Sequence, residues 1–162
     1  MEVRGKGRRI MPNIDIAAVP KYTGSVYPDE FNHVVKGRVR QRLSDAAGLT
    51  QFGVNLSRLP PGVASSLRHW HEREDEMVFV LEGEVVLVED AGETVLKAGD
   101  AAAWKANSGN GHQLVNRSDR DAVFLEIGTR SAEERTVYVD VDLVQERDAS
   151  GRRMFHKDGR PY

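Results

Sequence analysis

The chain has 162 residues, the length of about one domain. Hydrophobic residues at 40% and charged residues at 30% exclude a disordered chain, and the longest apolar run, residues 77–81, falls far short of the ~18 residues of a membrane-spanning helix. A net charge of −2 supplies no field for nucleic acid or an anionic membrane, and the absence of cysteine removes disulfides, thiol catalysis and zinc–cysteine sites.

Residues 1–20 hold no apolar signal core, so a cytoplasmic protein is expected. Residues 1–10 are basic and aperiodic, and Met11-Pro12 follows; residues 1–11 are expected to be a floppy arm or to precede a second start at Met11. Arg4, Lys6, Arg8 and Arg9 offer a phosphate-binding arm, but no aromatic side chains alternate with them, which weighs against it. Pro12, Pro20, Gly24 and Pro28 forbid a long helix over 12–35. That stretch is expected to be an arm packed on a larger domain, with no room for a helix-turn-helix unit.

From about residue 34 the period becomes two. Val35, Gly37, Val39 and Gln41 alternate with Lys36, Arg38, Arg40 and Arg42, and Phe52, Val54 and Leu56 share a face. MVFVL (77–81) and EVVLV (84–88) flank Glu82-Gly83, which reads as a tight hairpin. Further turns fall at 90–92, 98–100 and 117–121, with apolar β-rich text at 100–104, 112–116 and 122–127. Turns every 6–12 residues predict an antiparallel sandwich or barrel over 36–130, not βαβ units. Residues 131–162 are expected to strap the barrel, with an edge strand at 136–144 and a turn at Asp158-Gly159.

His69 and His71 are two apart in an alternating segment, so both side chains share a face. With Glu76 close behind, they form the beginning of a claw for a divalent transition metal, since imidazole and carboxylate suit iron, manganese, nickel or zinc better than calcium. Taken alone, the same residues also fit two surface histidines beside a solvated charge run, EREDE (72–76). Trp70, between the ligands, faces away from them. His33 and His156 have no such partners and read as structural or surface groups. Phe52, Phe79 and Phe124 read as core.

The surrounding spacing resembles the two motifs of the cupin superfamily, G-x5-HxH-x3/4-E-x6-G and G-x5-PxG-x2-H-x3-N. Here the first runs Gly62, six residues, His69-Trp70-His71, four residues, Glu76, six residues, Gly83. The second runs Gly99, five residues, Lys105-Ala106-Asn107, four residues, His112, three residues, Asn116. Lys105 stands for the motif's proline and Asn107 for its glycine, and the loop before His112 is two residues longer. The resemblance implies an all-β fold, an antiparallel double-stranded β-helix or jelly-roll barrel. It implies one divalent metal (Fe, Mn, Zn or Ni) on His69, His71, Glu76 and His112. It extends to small bacterial cupins often labelled sugar-phosphate isomerases, and implies a homodimer.

An isomerase needs a base beside the metal-held substrate. Glu126 in AVFLEI (122–127) serves if Phe124 and Glu126 face inward, and is merely exposed or salt-bridged if Leu125 does. Lys105 is the first choice for a phosphate anchor, ahead of Arg58 and Arg68. Trp104, Asn110, Gln113 and Asn107 are further candidates at the mouth, while Asn116 reads as a strand brace. The leading expectation is a metal-dependent isomerase or lyase for a sugar phosphate or similar oxygenated metabolite. An iron-dependent dioxygenase and a non-catalytic binder of metabolite or metal are the alternatives. The partner in each case is a small molecule, with neither nucleic acid nor membrane.

Overall fold

A computed structural model describes residues 13–162. The expectations for residues 1–11, the basic arm and the start at Met11 among them, lie outside the described residues. The rest is almost entirely antiparallel sheet, as the turn spacing predicts. A six-stranded sheet runs β1 (Lys21–Thr23), β2 (Val39–Arg42), β3 (Phe52–Leu59), β10 (Ala122–Thr129), β5 (Glu76–Glu82) and β8 (Ala101–Trp104). A four-stranded sheet runs β13 (Gly151–Phe155), β12 (Leu143–Asp148), β11 (Glu134–Tyr138) and β4 (His69–His71). A three-stranded sheet runs β7 (Gly92–Lys97), β6 (Glu84–Glu89) and β9 (Gln113–Val115). One turn of helix, α1 (Leu43–Ala46), joins β2 to β3.

Leu59, Val80 and Phe124 of the large sheet pack against Val85, Leu87 and Leu114 of the small one and form the main core. A second cluster joins Leu67, Tyr138 and Leu143 to Tyr27, Phe31 and Val34, so the N-terminal arm packs on the barrel through the C-terminal sheet. The Tyr27 and Tyr138 rings meet edge-on, 5.4 Å apart.

Several local expectations change. Residues 136–144 are not one edge strand. They hold the end of β11, a turn and the start of β12, and β11 is internal, paired with both β4 and β12. The apolar face of Phe52, Val54 and Leu56 points away from the interior, with Phe52 41% exposed, while Gly53, Asn55 and Ser57 face in. Phe124 is core, whereas Phe79 is only half-buried. Of the alternating faces at 35–42, the arginine face turns inward at Arg38, Arg40 and Arg42.

Glu82-Gly83 is not a hairpin, because β5 and β6 belong to different sheets. It is the corner at which the chain crosses between them. Gly83 has φ 71°, and a Cβ there would lie 2.7 Å from the Asp121 carbonyl oxygen. Both the left-handed backbone and the close approach require glycine. Gly83→Ala is therefore expected to lower unfolding free energy by about 2 kcal/mol or more. Urea denaturation measures this; a loss no larger than that of Gly92→Ala, where a Cβ meets nothing within 4 Å, contradicts it.

Candidate metal centre

The centre begins with the pairing of β4. His71 sits opposite Thr136 and His69 opposite Tyr138 on β11, and His69 also bridges to His112 through reciprocal backbone hydrogen bonds. Glu76 enters from the start of β5. These three elements bring the four ligand candidates to the wall of one cavity of about 400 Å³. His69 Nε2 lies 3.2 Å from His71 Nε2 and 3.8 Å from Glu76 Oε2. The same carboxylate oxygen is 3.3 Å from His71 Nε2 and 3.0 Å from His112 Nε2. Two donors each about 2.1 Å from one ion lie about 3.0 Å apart at right angles and about 3.4 Å apart in a tetrahedron, so these separations fit a shared divalent cation.

The groups behind the imidazoles select which nitrogen faces inward. His69 Nδ1 is 2.8 Å from the Leu67 carbonyl oxygen, which only accepts, so Nδ1 carries the hydrogen. His71 Nδ1 lies 3.4 Å from Glu134 Oε1 and 3.3 Å from Thr136 Oγ1. The Glu134 side chain is only 1% exposed and accepts the backbone N–H groups of Glu72 and Arg73, so it acts as a fixed carboxylate acceptor. Both Nε2 atoms then converge, an arrangement relieved by a shared proton or by a metal ion. His112 is fixed differently. Its ring stacks on Trp104 at 3.8 Å and 7°, and its buried Nδ1 has no partner among the described residues.

The electrostatics agree with that donor set. Burial, with His71 and His112 close by, lowers His69 to about 3, so it stays neutral. For His71 burial is outweighed by the hydrogen bonds to Glu134 and Glu76, which raise it to about 10. Burial also opposes the charge on Glu76, yet its bonds to His112 and His71 hold it well below the usual carboxylate range. Without metal, a single proton on His71 separates the facing imidazoles; His69, His71 and Glu76 form one mutually close donor group, which His112 meets through the Glu76 carboxylate at 3.0 Å. A second grouping, His71 with Glu74 and Glu134, is already engaged: Glu134 as above, and Glu74 by Arg147 and the Ser131 N–H.

The other sequence candidates separate clearly. Glu126 does face the cavity, with Phe124, and is 8% exposed. Its carboxylate is held by Arg40, at 2.8 Å to each oxygen, and by Asn55. Trp104 lies against His112 and donates its Nε1–H to Glu89, so it supports a ligand. Three expected substrate contacts lie off the cavity. Lys105 is exposed, Asn110 turns to Glu89 and Asp90, and Gln113 points outward because its neighbours His112 and Leu114 point in. Arg58 and Arg68 are likewise turned outward, to Asp121 and to Asp90 and Asp140. Asn107 replaces the motif's glycine by adopting φ 59°, which asparagine tolerates better than most residues. Asn116 braces the strands, donating to the carbonyl oxygens of Leu59 and Arg120. The reading missed Glu134, Thr136, Arg147 and Arg152. No local pattern marks them, because strand pairing across 60 or more residues brings the first two to His71.

A small antiparallel barrel with three histidines and one carboxylate converging on its interior defines a class, and the comparisons agree with it. The cupin domain model matches residues 55–128. A crystal structure named as a sugar phosphate isomerase from a cupin superfamily, from Silicibacter pomeroyi, is 50% identical, with a TM-score of 0.91 over 93% of this chain and 96% of its own. The chain belongs to the cupin superfamily. The oxalate-binding protein of Thermotoga maritima is 36% identical over 70 residues, which span 43% of this chain and 55% of that protein. The polyketide cyclase RemF of Streptomyces resistomycificus, 21% identical with a TM-score of 0.64 over 82% of this chain and 89% of its own, shares the fold.

Two outcomes follow for metal affinity. Glu134→Gln is expected to weaken binding by about 10–100-fold, since the hydrogen bond behind His71 is lost in its ionic form. Because His71 is protonated up to about pH 10 without metal, uptake is expected to release about one proton, with affinity rising up to about tenfold per pH unit from pH 6 to 9. Calorimetric titration with manganese or zinc in buffers of different ionisation heat measures both; pH-independent binding without proton release contradicts the second.

Proposed function

We propose that this chain is a metal-dependent isomerase or lyase acting on a sugar phosphate or similar oxygenated metabolite. The observation that carries the reading is a carboxylate, Glu126, in the wall of the same cavity as the four donors. His69, His71, Glu76 and His112 would hold one divalent ion, which supplies Lewis acidity toward a carbonyl or hydroxyl oxygen. The name borne by the Silicibacter pomeroyi relative supports the substrate class.

The chain's own residues do the remaining work. Arg40 grips Glu126 at both oxygens and fixes the carboxylate in the cavity wall, where a proton-accepting oxygen is needed. The proton it would take is one beside a carbonyl, where removal is easiest. Asn55 fixes the carboxylate plane, and Tyr138 lies 5.7 Å from the His69 ring with its hydroxyl raised by burial and by Tyr27, so it remains a donor. Binding without turnover is a second reading, supported by the same Arg40–Glu126 fork and by the name of the oxalate-binding relative.

Aldose and ketose phosphates incubated in D2O with the metal-loaded chain test the two readings by NMR. Proton transfer predicts deuterium at the carbon beside the carbonyl, and Glu126→Gln is expected to cut kcat by about 10²–10⁴-fold with metal content unchanged. Turnover that vanishes without dioxygen, or tight ligands with no product, overturns the isomerase reading.

A further inference from the structure

The cavity holds more arginine than its carboxylates neutralise. Arg38, Arg40, Arg42, Arg130, Arg147 and Arg152 line it. Arg40 pairs with Glu126, Arg130 with Asp45 and Arg147 with Glu74. Asp75, also in the lining, accepts the Ala106 N–H, and Glu76 belongs to the histidine centre. Among the described residues, Arg38, Arg42 and Arg152 meet no carboxylate. Arg38 is buried and donates to the carbonyl oxygens of Ser65 and Gly24. Arg42 lies 4.5 Å over the Tyr22 ring.

Arg152 stands directly opposite Arg147 in the β12–β13 ladder. Like charges in that position oppose the pairing. The Arg152 guanidinium is held below its ordinary range first by desolvation; the charges of Arg147, Arg42 and Arg40 lower it further, against the opposing effect of Tyr138. Arg42 comes from the six-stranded sheet and the other two from the four-stranded sheet, so the cluster is built from both walls of the barrel. Such an arrangement is favourable opposite an anion. The rim lies beyond the histidine rows: Arg147 and Arg152 share a cross-strand row with Glu134, next to the row of Gln145, Thr136 and His71.

We propose that Arg42, Arg147 and Arg152 form an anion subsite at the cavity mouth that takes the phosphate of a phosphomonoester, whose oxygenated end reaches the histidine centre. Guanidinium forks match phosphate oxygens, and two unpaired guanidiniums with a third shared by Glu74 balance a dianion better than a carboxylate. A cavity of about 400 Å³ accommodates a small metabolite. The subsite stands on the arginines; its assignment to a substrate rests on the function proposed above.

The test titrates inorganic phosphate, and acetate at equal ionic strength, into the full metal-loaded chain by calorimetry. Phosphate is expected to saturate one site at least about tenfold more tightly than acetate. The pair Arg42→Gln and Arg152→Gln is expected to weaken phosphate by about tenfold or more with a melting midpoint no lower than that of the parent chain, while Arg152→Lys restores only part of the binding and Lys105→Gln leaves it unchanged. Removal of metal by a chelator is expected to leave phosphate affinity within about threefold. Phosphate binding that survives in the arginine variants, disappears with the metal, or equals that of acetate overturns the subsite. A chain that binds phosphate through these arginines yet isomerises no sugar phosphate keeps the subsite and removes the isomerase; turnover unaffected by the arginine variants does the reverse.

Discussion

Two imidazole lone pairs are forced into one small space because the opposite edge of each ring is already committed. Leu67 takes the hydrogen of His69, and Glu134 takes that of His71. Neither ring can turn without leaving a buried acceptor unmet, at a cost of about 1–3 kcal/mol. The consequence reaches well beyond the two histidines. Glu76 must stay ionised beside them, His112 must close the far side, and the cavity must form where these four side chains meet.

The barrel supplies this constraint from distant parts of the chain. β4 is only three residues long and has little stability of its own. It holds its register because β11 pairs along one edge and His112 bridges along the other. The C-terminal segment therefore acts as part of the centre rather than as a cover, since β11 delivers Glu134 and Thr136, and β12 and β13 deliver Arg147 and Arg152. The N-terminal arm secures that sheet in turn: Tyr27 accepts the Leu67 N–H and packs on Tyr138. The donor set, the Arg40–Glu126 fork and the arginine cluster line one cavity, as the ligand proposed above, with a metal-binding end and an anionic end, requires.

Much of this was legible in sequence because it depended on local spacing. The alternation at 69–71 put two histidines on one face, and the motif spacing brought in Glu76 and His112. Turn residues located most strand ends. What failed was whatever depended on which strand lies beside which. Glu82-Gly83 resembles a hairpin locally, but a corner and a hairpin use the same left-handed glycine; only the sheet partners separate them. The arginines at 38, 40 and 42 were correctly read as one face, yet nothing local says that this charged face turns inward. It does so because the neighbouring inward positions, Asn55 and Glu126, are polar, so this end of the barrel is a cavity rather than core. Lys105 illustrates the converse, a cation near the ligands in sequence that the strand end leaves in solvent.

Diffraction from crystals of untagged protein, measured across the absorption edges of manganese, iron, nickel and zinc, tests the centre most directly. The account predicts one anomalous peak per chain, within about 2.3 Å of the Nε2 atoms of His69, His71 and His112 and of a Glu76 carboxylate oxygen. Saturating metal with no peak at that position, or with these four side chains turned away from one another, contradicts it.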